Sequence, residues 1–208
     1  MNHFEIFQRM LDAATSNPGS VVDVPIEHLG GFSALRVCGD GKCLWYSITS
    51  AALIDQDIPI SEIRDLDATG ELRRVARKLR VAICDELWDN VSEDFKAPYK
   101  DFWAPGEEGT EGAHTPLSYI QLLRRGEIFG GELEIFAAAS LLKRGIAVVN
   151  VPCGAIARTA HLVSIQPPII SVDTPPLLLL RSGLHFDALY PSAPCSKLPS
   201  TCQQSSCG

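Results

Sequence analysis

A chain of 208 residues, 46% hydrophobic and 21% charged, is long enough for one domain with a substantial core, and its composition excludes whole-chain disorder and a fibrous fold. The net charge of −7 argues against a protein that works by holding nucleic-acid backbones, because phosphate neutralisation needs a surplus of Lys and Arg. No apolar run approaches the ~20 residues that span a bilayer, and "MNHFEIFQRM" lacks the charged-then-apolar export pattern. A cytoplasmic, membrane-free and monomeric protein is expected, with residues 1–190 as a single domain and 191–208, rich in Ser, Pro and Gln, as a flexible tail.

In chain order, Phe4, Phe7, Met10 and Leu11 recur at helical spacing, and "SNPGS" ends that helix with turn formers. The segment "VVDVPIEHLGGFSALRV" reads as a loop or short strand. In "VCGDGKCLWYSITSAALI" a glycine turn leads into a helix that is apolar on most sides, as a buried central helix must be. "DQDIPISEIRDLD" reads as an acidic, proline-containing connection. The helix from about Glu71 to Leu87 sets an apolar stripe, Leu72, Val75, Ala76, Leu79 and Ile83, against a solvated face carrying Arg73, Arg74, Arg77, Lys78 and Arg80.

Residues 95–113 read as a loop whose aromatics pack at one edge. Thr115 is a good N-cap, with Pro116 at the first helical position, Leu117 and Ile120 on the apolar face and Arg124, Arg125 and Gly126 at the end. A second helix follows in "GGELEIFAAASLLKRG", with Glu132 favouring its N-terminus and Gly130 and Gly131 permitting close packing beside the Cys43 helix. "IAVVNV" is a buried-strand run, "LVSIQ" a further strand, and "PLLLLRSGLHFDALYP" an antiparallel hairpin. Helices first and a small, mainly antiparallel sheet later make an α+β domain.

Seven cysteines without an export signal are expected to be thiols. No CxxC pair occurs and the histidines do not cluster beside them, so neither a metal site nor another cofactor is expected; spacing alone would put a zinc ion, if anywhere, in the tail with Cys195, Cys202 and Cys207. Cys38 reads as an ordinary thiol. Cys43 is ambiguous in its pentapeptide. It is either a small buried hydrophobe or a nucleophile whose position at a helix N-terminus lowers its pKa, with backbone N–H groups from Gly39, Asp40, Gly41 and Lys42 forming an oxyanion hole beside the sulfur. Among the histidines, His3 lies in a terminal helix, His28 and His114 in loops, and His161 has no carboxylate adjacent in sequence. His185 has Asp187 two residues on, at the spacing that puts both on one face of a strand. Together with Cys43 they suit a Cys-His-Asp triad.

Three motifs carry a family resemblance. "GDGKCLWYSI" resembles the nucleophile motif of the ovarian tumour (OTU) family of deubiquitinating cysteine proteases, with Asp40, Gly41, Cys43 and Leu44 in place and Trp45 where phenylalanine or tyrosine is usual. "SYIQLLRRGEIFGGELEIFAAASLL" resembles its middle signature, with Phe129 where many members have tryptophan, and "LHFDAL" its His-aromatic-Asp motif. The resemblance implies a papain-like superfold and hydrolysis of isopeptide bonds after the C-terminal glycine of ubiquitin or a ubiquitin-like modifier, including polyubiquitin chains. It makes Cys43 the nucleophile, His185 the base and acid, Asp187 its orienter and Asp40 a residue that shapes the nucleophile loop. Trp45 and Phe186 are expected to touch substrate, and Glu107, Glu108 and Glu111 to pair with arginines near the ubiquitin C-terminus. Two alternatives stand beside this: a viral or pathogen polyprotein-processing protease of the same fold, acting in the host cytoplasm, and a non-catalytic ubiquitin-binding module.

Overall fold

A computed structural model of the protein describes residues 3–16, 21–103, 112–152, 159–165 and 175–192. The elements run α1 (His3–Ser16), β1 (Val21–Pro25), a 3₁₀ turn (Ile26–Gly31), β2 (Phe32–Leu35), α2 (Cys43–Asp55), α3 (Ile60–Ala68) and α4 (Glu71–Asp89). A second 3₁₀ turn (Tyr99–Phe102) is followed by α5 (Pro116–Arg125), α6 (Glu132–Leu142), β3 (Ile146–Val151), β4 (Thr159–Ile165), β5 (Leu177–Ser182) and β6 (His185–Pro191). The strands form one sheet in the order β1-β4-β3-β5-β6-β2. Every neighbouring pair is antiparallel except β3 and β5. That exception follows from β4, which occupies the other edge of β3 and carries the chain away before it returns.

Strand alternation divides the core in two. Ile146 and Val148 of β3 belong to the main core, whereas Ala147 and Val149 belong to a second cluster with Leu11, Ala14, Val24 and Leu162. Helix α1 covers that second face, packing on β1 and β4, while α2 lies on the other face against β5 and β6 and carries α4 on its far side. Helix α2 is buried without a break from Cys43 to Ala51, as its all-round apolar sequence demands.

Several expectations are corrected. "DQDIPISEIRDLD" is no mere connection, because α3 forms after Pro59 and docks Ile63, which is 1% exposed. Its acidic residues are solvated, and one apolar anchor at helical spacing suffices to seat it. On α4, Val75 is exposed whereas Arg80 is buried, so the basic face is not wholly solvated. On α5 the Thr115 cap forms, accepting from the Ser118 N–H at 3.2 Å. Leu117, however, is exposed, and Tyr119, Ile120 and Leu123 make the buried face. The aromatics after residue 95 do pack: Phe102 stacks on Phe136 at 4.6 Å between centroids, and Trp103 meets Tyr119 edge-on at 4.7 Å. Among the described residues no helix is long and apolar enough to cross a membrane. Cys195, Cys202 and Cys207, and the tail they belong to, lie outside the described residues.

Candidate active site

The site is assembled where the N-terminus of α2 meets the β5–β6 hairpin. Lys42, the N-cap of α2, supplies no side-chain hydrogen bond to the helix, so the first backbone N–H groups keep their donor capacity for other acceptors. Those of Cys43 and Leu44 face the Cys43 sulfur. Ahead of them, Gly41 adopts φ +80°, a left-handed conformation that a side chain would strain, and the ring of Phe129 lies 3.1 Å from where a Cβ would stand. Asp40 braces this turn. One carboxylate oxygen accepts from the Lys42 N–H at 3.1 Å and the other from the Tyr46 hydroxyl at 3.2 Å. The Lys42 N–H is therefore occupied, a correction to the expected four-donor oxyanion hole.

The hairpin presents the second half of the site. Ser182 pairs with His185 across it, leaving Gly183, at φ +61°, and Leu184 as the turn. Arg181 steadies that turn by donating from Nε to the Gly183 carbonyl at 3.0 Å. The Cys43 thiol donates to the Leu184 carbonyl at 3.7 Å, and the Phe186 N–H also faces the sulfur. Cys43 thus lies against the backbone on both sides of His185. His185 Nε2–H donates to Asp187 Oδ1 at 3.1 Å, and the same oxygen accepts from the Val37 N–H at 3.0 Å. With Nε2 committed, Nδ1 is the free ring nitrogen, and it lies 3.8 Å from the position of a Cβ on Gly39. The aspartate so ties β6 to the segment that leads into the nucleophile loop.

Burial pushes the Cys43 thiol above its ordinary pKa; the N–H groups of Phe186, Leu44 and Cys43 pull it down, and the Asp187 charge adds to the rise. The helix N-terminus acts with the expected sign and is outweighed by desolvation, because Cys43 is only 4% exposed. Desolvation thus favours the protonated thiol over the thiolate, and gives a base beside the sulfur a proton to remove.

The expected substrate-contacting residues fall into two groups. Trp45 and Phe186 are each 2% exposed and belong to the main core, so their side chains support the site from behind instead of lining its surface. Glu107, Glu108 and Glu111 lie outside the described residues. His161 has a carboxylate after all, across the strands: its Nδ1 pairs with Asp23 Oδ1 at 2.9 Å. That pair is on β4 and β1, with β3 and β5 between it and β6.

Sequence reasoning passed over Glu134. It is fully buried, accepting from the Tyr119 hydroxyl at 2.7 Å and from the Gly131 N–H at 2.6 Å. Its position three residues after Gly131 is the capping-box spacing, the signal that could have found it beside Glu132. The bond fixes the turn at Gly130, where a Cβ would meet Leu44 Cδ2 at 2.7 Å and Trp45 Cζ2 at 3.0 Å, whereas a Cβ on Gly131 would meet nothing within 4 Å. Only Gly130 has the close-packing role expected of both. Glu134→Ala is expected to destabilise the fold by about 2–4 kcal/mol, since it takes this acceptor from a buried and a part-buried donor, and Glu134→Gln by less. Chemical denaturation of the two variants checks this.

With this geometry in view, the chain can be set beside known proteins. The family model of the OTU-like cysteine proteases matches residues 38–176. No curated protein is a significant match. The fold is similar to that of the viral OTU domain protease of Taggert virus (TM-score 0.52, 15% identity, covering 83% of this chain and 86% of that one). It is equally similar to the Hazara virus OTU bound to ubiquitin (TM-score 0.52, 20% identity, 84% and 91% covered). An OTU deubiquitinase of Wolbachia pipientis bound to ubiquitin gives a TM-score of 0.50 at 15% identity, with 77% and 96% covered. At such identities the likeness speaks for the fold.

Proposed function

Because the chain belongs to the OTU-like cysteine protease family, we propose that it is a deubiquitinase that hydrolyses the isopeptide bond after the C-terminal glycine of ubiquitin or a ubiquitin-like modifier. The observation that carries this reading is the contact of the Cys43 sulfur with the hairpin turn at 3.7 Å beside the His185–Asp187 pair at 3.1 Å. Two of the solved relatives are described as bound to ubiquitin, which supports the choice of substrate.

In the proposed reaction His185 Nδ1 takes the proton from the Cys43 thiol as the sulfur attacks the glycyl carbonyl carbon. The negative charge that develops on the carbonyl oxygen is met by backbone N–H groups at the start of α2 and in the Gly39–Gly41 loop, where no side-chain cap competes for the helix donors. Collapse of the tetrahedral species breaks the C–N bond, and His185 returns its proton to the departing lysine amine. Water, deprotonated by His185, then attacks the thioester and releases the carboxylate and the thiol. Asp187 holds the imidazole with Nε2 as the donor and stabilises the imidazolium that forms. Asp40 acts one step removed, by fixing the loop through Lys42 and Tyr46.

The test uses ubiquitin carrying a C-terminal electrophile. A covalent adduct is expected with the full chain and none with Cys43→Ala. Absence of an adduct with ubiquitin and with each ubiquitin-like modifier would overturn the reading.

A further inference from the structure

We propose that the cleft between α4, the end of α5 and the nucleophile loop binds a phosphoryl dianion. The cleft has a volume of about 360 Å³ and is lined by Arg73, Arg77, Arg80, Arg125 and Lys42, with Asp40 and Tyr46 at one wall. That volume is within the usual range of small-ligand sites. In a chain of net charge −7, five cations around one cleft are a local inversion of the protein's charge.

The arrangement is built rather than incidental. Arg73, Arg77 and Arg80 recur at helical spacing, which puts them on one face of α4, and Arg125 approaches from α5. Arg80 is only 8% exposed, and its buried Nε has no hydrogen-bond partner among the described residues. Its guanidinium crosses Gly126, where a Cβ would stand 2.3 Å from Nη1 and where φ is +77°. Both the conformation and the space at that position call for glycine. The one acid on the lining, Asp40, is already engaged with the Lys42 N–H and the Tyr46 hydroxyl. Arg125 has a 3.4 Å contact with Glu127, both side chains being more than half exposed, a pairing that solvent screens and an incoming dianion can displace.

A buried guanidinium with an unpartnered N–H is stabilised by an anion that accepts from it. Guanidinium forks converging from two helices offer more donors than the two oxygens of a carboxylate can accept, and match the several oxygens of a tetrahedral phosphoryl group. The occupant would also face Lys42, the residue next to Cys43.

Free phosphate and a phosphomonoester share this chemistry. The full chain is therefore melted in potassium phosphate and in O-phosphoserine, against potassium chloride and serine at matched ionic strength and pH. A rise of about 3 to 6 °C is expected at tenfold excess over Kd, and the larger rise identifies the source. Arg73→Gln combined with Arg77→Gln, both exposed, should remove it while leaving the melting point in chloride near that of the parent. Line broadening of the phosphate ³¹P resonance by the wild-type chain, reduced in Arg125→Gln, gives a second readout independent of the double variant's folding. Identical melting in phosphoryl and control buffers, or an undiminished rise in the double variant, would overturn the proposal. The readouts do not involve hydrolysis, so their outcome is separate from that of the ubiquitin probe.

Discussion

His185→Ala is expected to lower hydrolysis of a ubiquitin conjugate by about 10²- to 10⁴-fold, the usual contribution of a positioned general base. The fold should survive, because the His185 side chain is 37% exposed and the residues that anchor the hairpin, Phe186 and Ala188, are untouched. The thiol's environment makes the loss severe. Burial raises the Cys43 pKa, which disfavours a standing thiolate and puts the weight on proton removal during attack. The pH dependence has a definite sign. In His185→Ala, alkylation of Cys43 by iodoacetamide should be slow at neutral pH and rise only as pH passes above the ordinary thiol range, since a raised pKa keeps the unreactive protonated form. Hydrolysis within tenfold of wild type, measured as kcat/KM at pH 7, would remove His185 from the mechanism.

Asp187 carries two bonds on one oxygen, and its variants separate them. Asp187→Ala removes the acceptor for both His185 Nε2 and the Val37 N–H. Leaving the part-buried Val37 N–H without its acceptor costs about 1–2 kcal/mol, and a freely turning imidazole with no carboxylate behind it should lower kcat/KM by roughly 10²-fold or more. Asp187→Asn keeps an oxygen that can accept from the Val37 N–H but carries no charge to stabilise an imidazolium. Stability should therefore recover in the asparagine variant while activity does not. If the two recover together, the shared oxygen acts by accepting from His185 Nε2 and the Val37 N–H, and the charge of Asp187 is dispensable. Thermal melts beside kcat/KM for both variants decide between these outcomes.

How much of this could be read without the fold varies with the reach of the interaction. Helix α2, the cap at Thr115 and the β5–β6 hairpin were all legible, because each depends on residues within a few positions: a glycine turn before an apolar run, a threonine followed by proline, two apolar runs around Ser-Gly. The same local logic found Cys43 at a helix start and His185 with Asp187 at strand spacing. It erred where a local pattern was sparse or ambiguous. Helix α3 was missed because its acidic surface hid the single anchor Ile63; Glu132 does stand in the first turn of its helix as expected, but the buried capping role of Glu134 beside it was passed over.

The linear order of residues determined by itself that this is an α+β domain, which residues could act as nucleophile, base and orienter, and which family it resembles, since periodicity and short motifs are properties of the chain alone. Tertiary structure decided what those residues experience. The rise of the Cys43 pKa comes from burial under a hairpin whose carbonyl lies 141 residues away. The occupation of the Lys42 N–H depends on how the Asp40 turn closes, and the support role of Trp45 and Phe186 on which faces the core takes. Arg80, placed by its spacing among solvated charges, is buried because α5 ends over it at a glycine. Desolvation and long-range contacts depend on which distant segments share a neighbourhood, and that is fixed only when the chain has folded.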